Sequence, residues 1–175
     1  MKELIKMALS AARFEEHEGF TALAFVWKGT FEEAFHGEVH KTIKRIQNWA
    51  ESEDSLKHDK TLLGMSVHNL EDGFTYYSAV KANWKPENIP DDMEWIEIPA
   101  HTYFVCDHIA GTDINETYKE VAERIAARDY RPYITVEYPV FDELPFKIEV
   151  YNSAIDVPRA EQEFHIMIPI VKHLG

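Results

Sequence analysis

The sequence predicts an α+β fold: two pseudo-symmetric strand–helix–strand–strand units that form one curved antiparallel sheet with both helices on one face. Three observations point there. Short runs rich in apolar, β-branched and aromatic residues are bounded by Gly, Asp and Pro turns. Two helix starts carry the same capping signature, Thr30 with Glu33 and Asp113 with Glu116. The two halves also overlay at an offset of 82 residues, which lays Gly29-Thr30 on Gly111-Thr112. The same offset lays Glu38, Val39 and Ile43 on Glu120, Val121 and Ile125.

Residues 1–15 read as an N-terminal helical extension, with Leu4, Ile5, Ala8, Leu9 and Ala12 on one stripe. The stripe is too short and too interrupted by charge for a signal peptide or a membrane span. The first half covers residues 16–84. Residues 20–28 read as a strand, and one helix follows with Phe35, Val39, Ile43 and Ile46 at helical spacing. It ends in the polar run ESEDSLKHDK. Residues 62–68 and 74–81 form a hairpin that turns at Glu71-Asp72-Gly73, and residues 85–92 connect the halves. In the second half, residues 93–175, strands over 94–98 and 101–110 are separated by Pro99. A helix carries Ile114, Tyr118, Val121, Ala122 and Ile125, and strands over 146–151 and 164–171 close the chain.

Composition removes several classes of function. A chain of 175 residues suits one domain, and 45% hydrophobic residues can build a core. The net charge of −13 argues against direct nucleic-acid binding, because phosphate recognition needs a basic surface. No stretch reaches membrane length. Cys106 is the single cysteine, so no intramolecular disulfide is possible and a reducing cytoplasm fits. Cys106 reads as a small core residue and not as a nucleophile. His36 and His40 lie four apart, but two ligands do not close a zinc site, so no metal is assigned. No glycine-rich phosphate loop or other cofactor motif is present, and no strained nucleophile turn marks a serine hydrolase.

The strand FKIEVY alternates. Phe146, Ile148 and Val150 share one face; Lys147, Glu149 and Tyr151 share the other. If the apolar set packs on the helices, Glu149 and Tyr151 point into a cleft on the opposite face, at the junction of the halves. Alternation alone leaves two readings of Glu149. It is either a solvent-facing acid on a half-exposed sheet, or a desolvated carboxylate that pairs with a cation or serves as a general base.

Several stretches, taken in order, carry a resemblance. They are Gly73-Phe74-Thr75-Tyr76-Tyr77, Ile98-Pro99-Ala100 with Tyr103 and Gly111, Glu149 with Tyr151, and Ile168-Pro169-Ile170. From roughly residue 16 to the end, the chain resembles the gyrase-inhibitor-like family, the effector-binding domain of AraC- and MerR-type multidrug regulators. The resemblance implies a cleft between the halves that holds a small aromatic or apolar molecule, with a cation as the charge its acid would suit. It implies that Glu149 is the buried acid and that Tyr151, Tyr103, Tyr76 and Tyr77 stack on the ligand. Trp95, His165 and Met167 complete the candidate set. Too few residues precede Phe20 for a helix-turn-helix, so the expectation is a ligand sensor or sequestering protein that reaches any regulatory target through a protein partner.

Two alternatives accompany that reading. One is a hydrolase of the cyclopropanoid type with Glu149 as general base. The other is a protein-interaction module like the family's gyrase inhibitor. The chain departs from the family pattern at His165, where many members carry another acid, which ties that charge to pH. It departs again over residues 125–130, where many members have a tryptophan; Trp84 and Trp95 lie elsewhere.

Overall fold

A computed structural model describes residues 12–53, 61–82, 86, 88–133, 142–152 and 161–172. Its strands are β1 (Arg13–His17), β2 (Phe20–Thr30), β3 (Leu62–Leu70), β4 (Gly73–Lys81), β5 (Met93–Ile98), β6 (His101–His108), β7 (Tyr130–Pro132), β8 (Phe146–Tyr151) and β9 (Phe164–Lys172). Its helices are α1 (Phe31–Phe35), α2 (Glu38–Ser52) and α3 (Ile114–Ala127). The strands run in the order β1-β6-β9-β8-β3-β4-β2-β5, and β7 adds to the far end of β9. Every pairing is antiparallel. β8 and β3 are the central pair, and the two units meet there with Gly64 opposite Glu149.

Each unit receives its outer strand from the segment that leads into the other unit. β1 precedes β2 in the chain but pairs with β6, and β5 precedes β6 but pairs with β2. The two corners touch at Gly19. A Cβ there would lie 2.6 Å from the Ala100 nitrogen and the Ile98 oxygen, and φ is +85°. Only glycine accepts both the backbone angle and the contact. Residues 13–15 therefore belong to a strand and not to a helical extension. The rest of that extension, residues 1–11, lies outside the described residues, as does Trp84.

The predicted single first helix is two helices. Thr30 does close a capping box with Glu33, its hydroxyl accepting from the Glu33 amide at 3.1 Å. Gly37 then adopts φ +94° and breaks the run after one turn. The left-handed residue turns α2 away from the axis of α1, so Phe35 falls off the predicted stripe and is 87% exposed, while Val39, Ile43 and Ile46 are buried. The break also removes the helical register that would have aligned His36 with His40. Among the described residues no His, Cys, Asp or Glu cluster is gathered for a metal. None of the described helices is long and apolar enough to cross a membrane.

The two long helices pack on the same face of the sheet, α2 over β2 and β4 and α3 over β6 and β7. Leu23, Phe25, Tyr76, Phe104, Tyr151 and Ile166 share one cluster with Ile43 and Ile46 of α2 and Val121 and Ile125 of α3. The other face is buried as well. Ile98 of β5, near one end of the sheet, shares a cluster with Tyr103 and Val105 of β6, near the other end. Met65 and Ile148 of the central strands join them. The sheet thus curls until its ends close over its own concave side, and Ala22, Ala24 and Ala79 leave room for the bend. This corrects the expectation of a cleft opposite the helices: that side is a second core.

Candidate functional site

The alternation of β8 holds, but its faces are the reverse of those expected. Phe146 and Ile148 fill the concave core, whereas Tyr151 belongs to the cluster under the helices. Glu149 shares that parity and is 3% exposed. Its carboxylate accepts hydrogen bonds from the hydroxyls of Tyr151 on its own strand and Tyr118 on α3. A buried carboxylate needs such donors, because without them its desolvation goes uncompensated.

α3 is held in place to deliver Tyr118. The Asp113 side chain caps the helix by accepting from the Asn115 amide at 2.8 Å and the Glu116 amide at 3.2 Å. One turn on, the Thr117 hydroxyl sits 2.7 Å from Nδ1 of the buried His108 on β6, which ties the helix to the sheet. Thr117, Val121 and Ile125 face inward. Tyr118, at the margin of that stripe, is half-buried and leans over the central strands. The sequence had marked Tyr118 as an apolar position of the helix without linking it to Glu149, since its partner lies 31 residues away.

Tyr76 comes to the same place from β4. It is 2% exposed, and its hydroxyl lies over Gly64, the residue paired with Glu149. A Cβ on Gly64 would meet that oxygen at 2.2 Å. The absent side chain is the space the tyrosine occupies. Glu149, Tyr151, Tyr76 and Tyr118 thus form one constellation on β3 and β8, between the footprints of α2 and α3.

Beside it stands a polar unit that alternation had placed but not interpreted. The Lys147 ammonium donates to Asp142 at 2.9 Å and to Nε2 of His68 at 3.0 Å, and it lies 5.3 Å from the centroid of the Tyr118 ring. Burial, together with the Lys147 charge, pushes the His68 imidazole down to about 4, against a smaller upward pull from Asp142. His68 is therefore neutral at pH 7 and can accept from the ammonium. Burial would by itself raise the Asp142 carboxyl. The Lys147 charge, the Leu144 amide and His68 outweigh that, so its proton affinity is lowered. Rings continue outward from His68. Phe74 stacks on it at 5.3 Å and Phe31 at 6.0 Å, and Trp27 meets Phe74 edge-on at 5.2 Å.

The remaining candidates stand elsewhere. Tyr103 and Met167 are in the concave core, and Tyr77 packs against it. The Tyr103 hydroxyl donates to the Pro99 carbonyl at 2.7 Å, and burial pushes its phenol up to about 12. His165 lies on the concave parity, bonded to Asp107 and within 3.0 Å of Asn152. Trp95 is 49% exposed on the edge strand β5. Cys106 is fully buried under α3, and burial first, then Asp107, pushes its thiol up to about 12, which suits packing and not attack.

Comparison with known proteins agrees with the fold. The family model described as integron-associated effector binding protein (Cass2) matches residues 13–170. No curated protein matches the sequence. An integron cassette protein from the mobile metagenome of Vibrio cholerae superposes with a TM-score of 0.55 at 12% identity, covering 95% of this chain and 99% of that one. SAV2435 bound to tetraphenylphosphonium gives a TM-score of 0.58 at 13% identity, over 93% and 94% of the two chains. The C-terminal domain of EcmrR gives 0.60 at 14% identity, over 95% and 99%. Identities this low establish a shared fold, and the family match establishes kinship: the chain belongs to the integron-associated effector-binding protein family.

Proposed function

We propose that the protein binds a small hydrophobic molecule between α2 and α3, over β3 and β8, and that Glu149 takes the molecule's cationic or hydrogen-bond-donating group. One observation carries the reading: a buried carboxylate on β8, held by tyrosine hydroxyls from its own strand and from α3, where the two units meet. A carboxylate can accept several hydrogen bonds at once, so a ligand donor or cation can add to or exchange with those that Glu149 makes. Tyr76, Tyr118 and Tyr151 offer ring surface for apolar and cation–π contact. That a protein of the same fold holds tetraphenylphosphonium supports an apolar cation as one ligand class. The role that follows is sensing or sequestering, with the ligand released unchanged.

The test compares benzyltrimethylammonium with neopentylbenzene, its neutral carbon isostere. Glu149→Gln is expected to weaken the cation about tenfold or more, the scale of one charge-assisted contact, and to leave the isostere nearly unchanged. Equal losses for both would remove the charge role. Conversion of either compound on long incubation with excess protein would replace binding by catalysis.

A further inference from the structure

Lys147 has no role in the reading above, yet it is set into the same floor. It lies two residues from Glu149 on the same side of β8, a separation of about 6.5–7 Å along a strand. Tyr118 bridges the two groups: its hydroxyl is on Glu149 and its ring lies beside the Lys147 ammonium. Lys147 is 9% exposed. A buried ion pair such as Lys147–Asp142 is weak evidence of stabilisation, because apolar residues of similar volume often serve a core at least as well. The acid and the base together make the floor dipolar. Asp142 balances the Lys147 charge, so a cation is still accepted at Glu149, while a ligand that also carries an acceptor uses both groups.

We propose that Lys147 is a second recognition point, and that the ligand is an amphoteric aromatic molecule. It carries a cationic or donor group for Glu149, and an anionic or acceptor group, such as a carboxylate, for Lys147. Neutral His68 and Asp142 bond to the ammonium and fix its place, and Phe74, Phe31 and Trp27 supply apolar surface for the remainder of the ligand. The proposal rests on the groove reading and adds a ligand class to it.

Three small probes test it: benzylamine, 4-methylbenzoate and 4-(aminomethyl)benzoate. The last holds its two charges at a separation comparable to the spacing of residues two apart on a strand. Titration calorimetry on the wild-type chain is expected to show 4-(aminomethyl)benzoate binding about tenfold or more tighter than benzylamine, the worth of one charge-assisted hydrogen bond. In Lys147→Gln that ratio falls to about one, and in Lys147→Arg, which keeps the charge, part of it survives. The wild-type ratio needs no variant to fold. A wild-type ratio of one or less overturns the proposal while leaving the groove reading in place, provided benzylamine or benzyltrimethylammonium binds. A tenfold ratio that persists in Lys147→Gln also overturns it. If none of these compounds binds, the groove reading fails and this proposal fails with it.

Discussion

Tyr151→Phe will destabilise the protein by about 1.5–3 kcal/mol, the worth of a hydrogen bond to a charged group in a buried setting. The substitution keeps the ring. Its packing on Phe164, with centroids 5.0 Å apart, is retained, so the loss belongs to the hydroxyl. Tyr151 is 0% exposed and Glu149 is 3% exposed, so water cannot easily replace the missing donor. Tyr118→Phe will cost less, because Tyr118 is half-buried and solvent can partly compensate. A double-mutant cycle isolates the effect. In a Glu149→Gln background the same Tyr151→Phe change should cost clearly less, since a neutral amide depends less on its donors. Urea unfolding of the four proteins of the cycle and of Tyr118→Phe measures all these terms. Equal costs in both backgrounds would show that the hydroxyl does not act through the carboxylate.

Acid will weaken the fold through His68. Its folded-state proton affinity is lowered from 6.5 to about 4. Between those values the unfolded chain binds a proton at this position and the folded chain does not. Stability is therefore fully present above about pH 6.5 and is lost progressively as pH falls toward 4, by on the order of 2–3 kcal/mol. Asp142, also lowered in the folded state, adds a loss of the same sign once pH falls into the carboxylate range. His68→Gln should flatten the His68 part of the slope between pH 6.5 and 4, whatever it does to stability at pH 7 through lost stacking on Phe74 and Phe31. Identical pH slopes for wild type and variant would mean that His68 is not held neutral in the folded state.

Most of the architecture was legible because it rests on local signals. The strands of the two central hairpins and both helix starts follow from alternation, turns and caps, and the 82-residue offset aligned Val39 and Ile43 with Val121 and Ile125, all four of them buried. The exchange of edge strands was not legible. β1 and β5 pair across the molecule, and what permits it is the contact of Gly19 with the Pro99 corner, a fact of three dimensions. The break at Gly37 was masked by apolar spacing that ran through it.

At the site, alternation correctly kept Lys147, Glu149 and Tyr151 together. It assigned them to the wrong face for a physical reason. Parity reveals the core side of a sheet when one side meets water, and here both sides of the middle strands are buried. Tyr77, Tyr103 and Met167 were grouped with Glu149 in the candidate set that followed from the family resemblance, and their own parity carries them to the concave core. Tyr118 was hidden by its type, since a tyrosine on an apolar stripe gives no sign that its hydroxyl reaches a distant acid.

Which face of the sheet meets the ligand is thus the central claim, and nuclear Overhauser contacts test it most directly. With benzyltrimethylammonium bound, its methyl protons should show contacts to the rings of Tyr118, Tyr151 and Tyr76, under the helices. Contacts instead to Tyr103, Tyr77 and the Met167 methyl, with none to Tyr118, would place the ligand in the concave side and contradict the assignment of Glu149.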